Sequence, residues 1–113
     1  EIITVLETPG HYYDSVCFWN SKDKKIFTGD TMFIGRTGRV LSEKSSIEDL
    51  YYSIYDVLLK LPSDTIIYPG HDYGYKIYDT IKNNIESSKF FNCQNFNDFK
   101  LVMKNFENNR KKR

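Results

Sequence analysis

With 113 residues, the chain is the size of one domain or part of one. Its 16 basic residues against 15 acidic ones leave a formal charge of +1, which removes any overall electrostatic drive toward nucleic acid or an anionic membrane surface. No apolar run approaches the roughly 18–20 residues that span a bilayer, and two cysteines, Cys17 and Cys93, make no disulfide framework. Sparse cysteine points to a reducing compartment, so a cytoplasmic location is the expectation. The basic run Arg110, Lys111, Lys112 and Arg113 reads as a solvated end, because no second basic face accompanies it.

Residues 2–6 are apolar and β-branched, which predicts a strand. Thr8-Pro9-Gly10-His11 breaks it with a Pro-Gly turn. Residues 15–19 predict a second strand, in which Cys17 reads as a small buried hydrophobe. A polar hairpin loop follows over 20–23, and residues 25–28 return as a third strand ended by Gly29-Asp30. The apolar run 31–34 then leads into a Gly/Arg loop over 35–39. A helix is predicted from Ser45 or Ser46, with Ser45 and Glu48 at capping-box spacing. Ile47, Leu50, Tyr51, Ile54, Val57, Leu58 and Leu61 recur at helical spacing until Pro62 stops them. Residues 65–68 predict a buried strand, ended by a second turn, Pro69-Gly70-His71. A polar helix over 80–88 and an amphipathic one marked by Phe96, Phe99, Val102, Met103 and Phe106 complete the chain. The fold class is therefore α/β or α+β. Residues 1–75 hold the sheet, the loops and one helix, and residues 76–113 form a helical tail.

Both histidines stand in one local setting, directly after a strand and a Pro-Gly turn. Asp30 stands at the end of another strand. Strand ends sharing one sheet edge would bring together two imidazoles and a carboxylate, a donor set suited to zinc or iron. A histidine after a turn is also an ordinary surface residue, and a Gly-Asp pair an ordinary turn. The pattern by itself leaves both readings open.

The wording of the motifs goes further. Thr8-Pro9-Gly10-His11, Phe27-Thr28-Gly29-Asp30-Thr31-Met32-Phe33-Ile34-Gly35, Leu61-Pro62-Ser63-Asp64-Thr65 and Tyr68-Pro69-Gly70-His71-Asp72-Tyr73-Gly74 follow in order. Together they resemble the metallo-β-lactamase superfamily, in its glyoxalase II (hydroxyacylglutathione hydrolase) and persulfide dioxygenase branch. The resemblance runs from residue 4 to about residue 75 and weakly to about 107. It implies that His11, Asp30 and His71 are metal ligands, with Asp30 bridging two metals and acting in catalysis. The family's upstream His-x-His-x-Asp-His ligands are absent, and the chain opens inside a strand-like run without Met. The expectation is the C-terminal half of an αββα sandwich: one mixed sheet packed by helices, and half a metal site.

In that family, two zinc ions about 3.5 Å apart make hydroxide available near neutral pH to attack a thioester carbonyl. The resemblance also implies that Arg39 and Tyr73 contact a glutathione-derived substrate. A solvated loop arginine and a packed tyrosine are the plainer readings of both. The loop Arg36-Thr37-Gly38-Arg39 departs from the family's Gly-Cys-Gly, and Leu41 replaces an expected tyrosine, which weakens the glutathione assignment more than the metal one. Two other outcomes are an oxidoreductase of the persulfide dioxygenase kind with one iron, and an inactive or binding remnant. As partners, a missing N-terminal half or self-association through an exposed sheet edge is expected, with no nucleic acid and no membrane.

Overall fold

The structure, a computed structural model, describes residues 2–73 and 76–110 and the backbone of Lys111. Five strands form one mixed sheet in sequence order: β1 (Thr4–Glu7), β2 (Val16–Asn20), β3 (Lys25–Gly29), β4 (Ile66–Pro69) and β5 (Asp79–Thr80). Neighbours pair antiparallel except β3 and β4, which are parallel. The β2–β3 hairpin turns because Asn20 Oδ1 accepts the Asp23 backbone N–H at 3.0 Å and Lys24 takes a positive φ of 52°.

The parallel β3–β4 pair requires a crossover, and α1 (Ile47–Tyr52) supplies it. Its N-cap is Ser46, whose hydroxyl accepts the Asp49 N–H at 3.1 Å. The capping box expected at Ser45 and Glu48 does not form, because Ser45 donates instead to the His11 carbonyl at 2.6 Å. The predicted long helix is also not one α-helix. After Tyr52 it widens into a π turn over Ser53–Val57 and tightens into a 3-10 turn over Leu58–Lys60. The side-chain stripe nonetheless stays inward, with Leu50, Ile54 and Leu58 buried.

The expected helical tail opens with a strand. The two residues of β5 pair with β4, and Thr80 then caps α2 (Ile81–Ser87) by accepting the Asn83 N–H. A 3-10 turn over Lys89–Phe91 leads to α3 (Phe96–Lys111). Of the basic tail, the Lys111 side chain and residues 112–113 lie outside the described residues, as do Gly74 and Tyr75 at the end of the second histidine motif. No helix among the described residues is long and apolar enough to cross a membrane.

The core lies on one face of the sheet. Cys17, Ile26 and Ile67 point into it and meet Leu50, Ile54 and Leu58 from the crossover, with Ile81, Phe91, Phe99 and Met103 from the C-terminal helices. Each such side chain, fully buried, contributes about 1.5–3 kcal/mol. The opposite face carries a second apolar row. Val5, Phe18, Phe27 and Tyr68 are cross-strand partners in turn, and the first three are 56%, 45% and 44% exposed.

Candidate metal centre

Strand direction places the three predicted ligands together. β1 and β3 each run antiparallel to β2, so they point the same way, and β4 is parallel to β3. Their C-terminal ends therefore share one edge of the sheet. His11 follows β1, Asp30 follows β3 and His71 follows β4.

The connections behind these side chains are tightly held. Gly10 has φ +143°, and a Cβ there would collide with the Leu50 backbone, so only glycine lets the His11 loop lie against α1. That loop is tied to the crossover by three hydrogen bonds. The Ser46 N–H donates to Gly10 O at 2.7 Å, Ser45 Oγ to His11 O, and Ser53 Oγ to Pro9 O at 2.6 Å. The His71 turn is tied to the Asp30 turn by the Gly70 N–H, 2.7 Å from Gly29 O. Gly38 fits between the two sides: a Cβ on it would collide with the Asp30 carbonyl and stand 3.0 Å from His11 Nδ1.

Asp30 sits between the two imidazoles. His71 Nδ1 lies 2.7 Å from Asp30 Oδ1, and His11 Nε2 lies 3.9 Å from Asp30 Oδ2. The Nδ1–H of His11 donates to the Arg39 carbonyl at 2.6 Å. With Nδ1 of each ring taken up by a hydrogen bond, Nε2 is the nitrogen of each left for a ligand, as in histidines oriented by an outer hydrogen bond.

The donor set suits zinc or iron in kind, since two imidazoles and a carboxylate are of the right hardness. It falls short in number and convergence. Its contacts run in pairs through Asp30, and among the described residues no group of three or more His, Cys, Asp or Glu side chains is arranged to hold a metal ion. The residues fit part of a site that needs further donors.

A cleft of about 510 Å³ opens beside Asp30 and the two histidines, within the size range of small-molecule sites. Tyr73 lines it, with its ring stacked on His71 at 5.0 Å and 10°. Arg39 lines it too, but its guanidinium is engaged: Nε and Nη2 donate to the two carboxylate oxygens of Glu107 at 2.6 and 2.8 Å. That bond raises its pKa above the usual arginine range, against burial, which lowers it by more than the Glu107 charge alone raises it. Five further residues join that the sequence does not single out as a site, Phe33 and Gly38 among them. Arg36 enters from the loop, and Phe106 and Arg110 from α3. In the sequence Phe106 shows only helical core spacing and Arg110 only a basic tail. Arg36, in a Gly/Arg loop next to Asp30, was the one available signal.

The chain belongs to the metallo-beta-lactamase superfamily, whose family model matches residues 1–71. Among individual proteins, it is 36% identical over 99 residues to a probable hydroxyacylglutathione hydrolase, glo2, of Schizosaccharomyces pombe, covering 82% of this chain and 38% of that protein. Its fold matches ETHE1 from Myxococcus xanthus with a TM-score of 0.82 at 31% identity, covering 92% of this chain and 45% of that one. It also matches TTHA1623 in a di-iron-bound form, with a TM-score of 0.70 at 30% identity, over 78% of this chain and 42% of that one. The chain spans less than half the length of each of these proteins.

Proposed function

We propose that this chain supplies one half of the active site of a metal-dependent thioester hydrolase of the hydroxyacylglutathione hydrolase kind. One observation carries the reading. Asp30 offers one carboxylate oxygen toward His11 and the other toward His71, at strand ends that face a substrate-sized cleft. The likeness to hydroxyacylglutathione hydrolases supports the substrate class.

His11, Asp30 and His71 would hold the metal, with two zinc ions per complete domain. Bound there, the metal supplies Lewis acidity and a nucleophile near neutral pH. The chain's own residues do the positioning. Arg39 fixes His11 through its carbonyl, His71 and Asp30 orient each other, and Tyr73 packs on His71 toward the substrate. In Arg39 the substrate-binding role implied by the sequence competes with Glu107 for the same fork. Hydrolysis adds water to the thioester carbonyl, breaks the C–S bond and releases a carboxylate and a thiol.

The remaining donors and the cover for the bare sheet face come, in this reading, from a further segment of sandwich upstream in a longer protein of the cytoplasm. The exposed row of Val5, Phe18 and Phe27 supports that. This chain on its own is then inactive. The test is hydrolysis of S-lactoylglutathione by a version extended upstream, compared with its His11→Ala variant. At least a hundredfold loss of kcat/KM is expected in the variant. No thiol release from the metal-loaded wild type would overturn the proposal. The fold likeness to ETHE1 supports a second reading, an oxidoreductase of the persulfide dioxygenase kind with one iron. Oxygen uptake with a persulfide in place of thiol release would select it.

A further inference from the structure

Of the arginines facing the cleft, Arg36 is enclosed and has no carboxylate partner. Its guanidinium carbon lies 4.9 Å from the Phe33 ring centroid, 4.8 Å from Tyr73 and 5.0 Å from Phe106. Nη1 donates to the Thr37 carbonyl at 3.0 Å, and among the described residues no acidic side chain stands within ion-pair distance of it. The contrast is Arg39, three residues on, whose fork is closed on Glu107.

Arg110 opens onto the same cleft, with its guanidinium carbon 5.7 Å from the Phe106 ring. Burial first, and the Arg110 charge second, lower the pKa of Arg36. A guanidinium stays charged under such a shift. Three cations thus face one cleft; Glu107 is closed on Arg39 and acts on Arg36 only as a charge at longer range, so the cation enclosed by rings has no carboxylate hydrogen-bonded to it. Aromatic faces fix the plane of a guanidinium without using its N–H groups. The Nε and Nη2 edge of Arg36 is left to donate to a planar, bidentate acceptor.

We infer that Arg36, assisted by Arg110 and enclosed by Phe33, Tyr73 and Phe106, forms a carboxylate-binding subsite beside the metal ligands. This deepens the hydrolase reading and rests on it for the identity of the substrate's reacting end. The substrate is then a thioester whose non-reacting arm ends in a carboxylate, and Arg36 rather than Arg39 reads that arm. Tyr73, stacked on His71 and under Arg36, links the subsite to the metal ligands.

Calorimetric titration of the upstream-extended protein with S-methylglutathione and with its dimethyl ester tests this. The thioether is not hydrolysed, so its binding can succeed where the hydrolase assay fails, and the two failures are separable. The wild type is expected to bind the free acid at least tenfold more tightly than the diester. Arg36→Gln should weaken the free acid about ten- to hundredfold, the range for hydrogen bonds to charged groups, and leave the diester unchanged. Arg36→Lys should recover only part, because the charge remains but the fork does not. Arg110→Gln, on an exposed stretch of helix where folding is not at stake, should weaken the acid by a smaller factor and steepen none of the diester binding. The proposal is overturned if the wild type does not prefer the acid. It is equally overturned if Arg36→Gln and Arg110→Gln, both folded by circular dichroism, keep the full preference.

Discussion

The two faces of the sheet differ by a single step along each strand. Trp19, Ile26 and Ile67 are lateral neighbours on the helix side, and Ile26 and Ile67 are fully buried. Phe18, Phe27 and Tyr68, each one residue away, form a second aromatic row on the other side, where Phe18 and Phe27 stay open to solvent and Tyr68 is half-buried. A sheet meant to face water on one side alternates apolar with polar residues. This one carries apolar rows on both faces, so the bare row is built for a cover. The chain's span of less than half its relatives' length agrees with a cover supplied from elsewhere in a longer protein.

The largest effect separates the faces directly. Ile67→Ala should destabilise the chain by about 2–5 kcal/mol, as large-to-small changes in a packed core do. Urea denaturation measures it. Phe27→Ala on the bare face should cost about 1 kcal/mol or less in this chain, since its main contact is the Tyr68 ring at 5.4 Å. The same Phe27→Ala in the upstream-extended protein should cost about 3 kcal/mol. An unchanged small cost there would mean that the row is never covered.

A second effect comes from the buried face alone. Desolvation pushes the Cys17 thiol from 9.0 up to about 11, against weaker hydrogen bonds from Thr8 and Thr31. The folded state therefore holds the proton more firmly than the unfolded one. Its stabilisation is complete below pH 9 and is lost as pH rises toward 11, by at most about 3 kcal/mol. Burial raises Cys93 and Tyr55 as well, so part of the alkaline loss belongs to them. Denaturation at pH 8 and pH 10.5 should show a smaller drop in Cys17→Ala than in the wild type. Equal drops would place the thiol's burial in error. The smallest effect is on the bare face, where replacing Phe18 and Phe27 by Thr should reduce binding of a hydrophobic dye without lowering the denaturation midpoint by more than a few tenths molar.

The main strands and the site were legible for one reason: each depends on residues close in sequence. Four strands follow from short β-branched runs, and both histidines are announced by the same Pro-Gly turn. What escaped depends on partners far along the chain. Strand β5 is two residues held by pairing to β4, and Asp79-Thr80 carries no apolar pattern to reveal it. Ser45 and Ser46 offer the same capping spacing, and the choice falls to Ser46 because Ser45 is taken by His11. The π turn at Ser53 leaves the inward stripe intact, so periodicity passes over it, although its hydroxyl anchors the loop before His11. Glu107 closes on Arg39 across 68 residues, and only the fold shows that this arginine is paired with a carboxylate while Arg36 donates to the Thr37 carbonyl instead.

His11, Asp30 and His71 are proposed as half of a metal site. Elemental analysis of the upstream-extended protein, beside its Asp30→Ala variant, tests this most directly. About two zinc ions per wild-type chain are expected, falling to less than one when the carboxylate between the histidines is removed. An extended protein that folds and holds no metal, or an Asp30→Ala variant that holds as much as the wild type, would contradict the account.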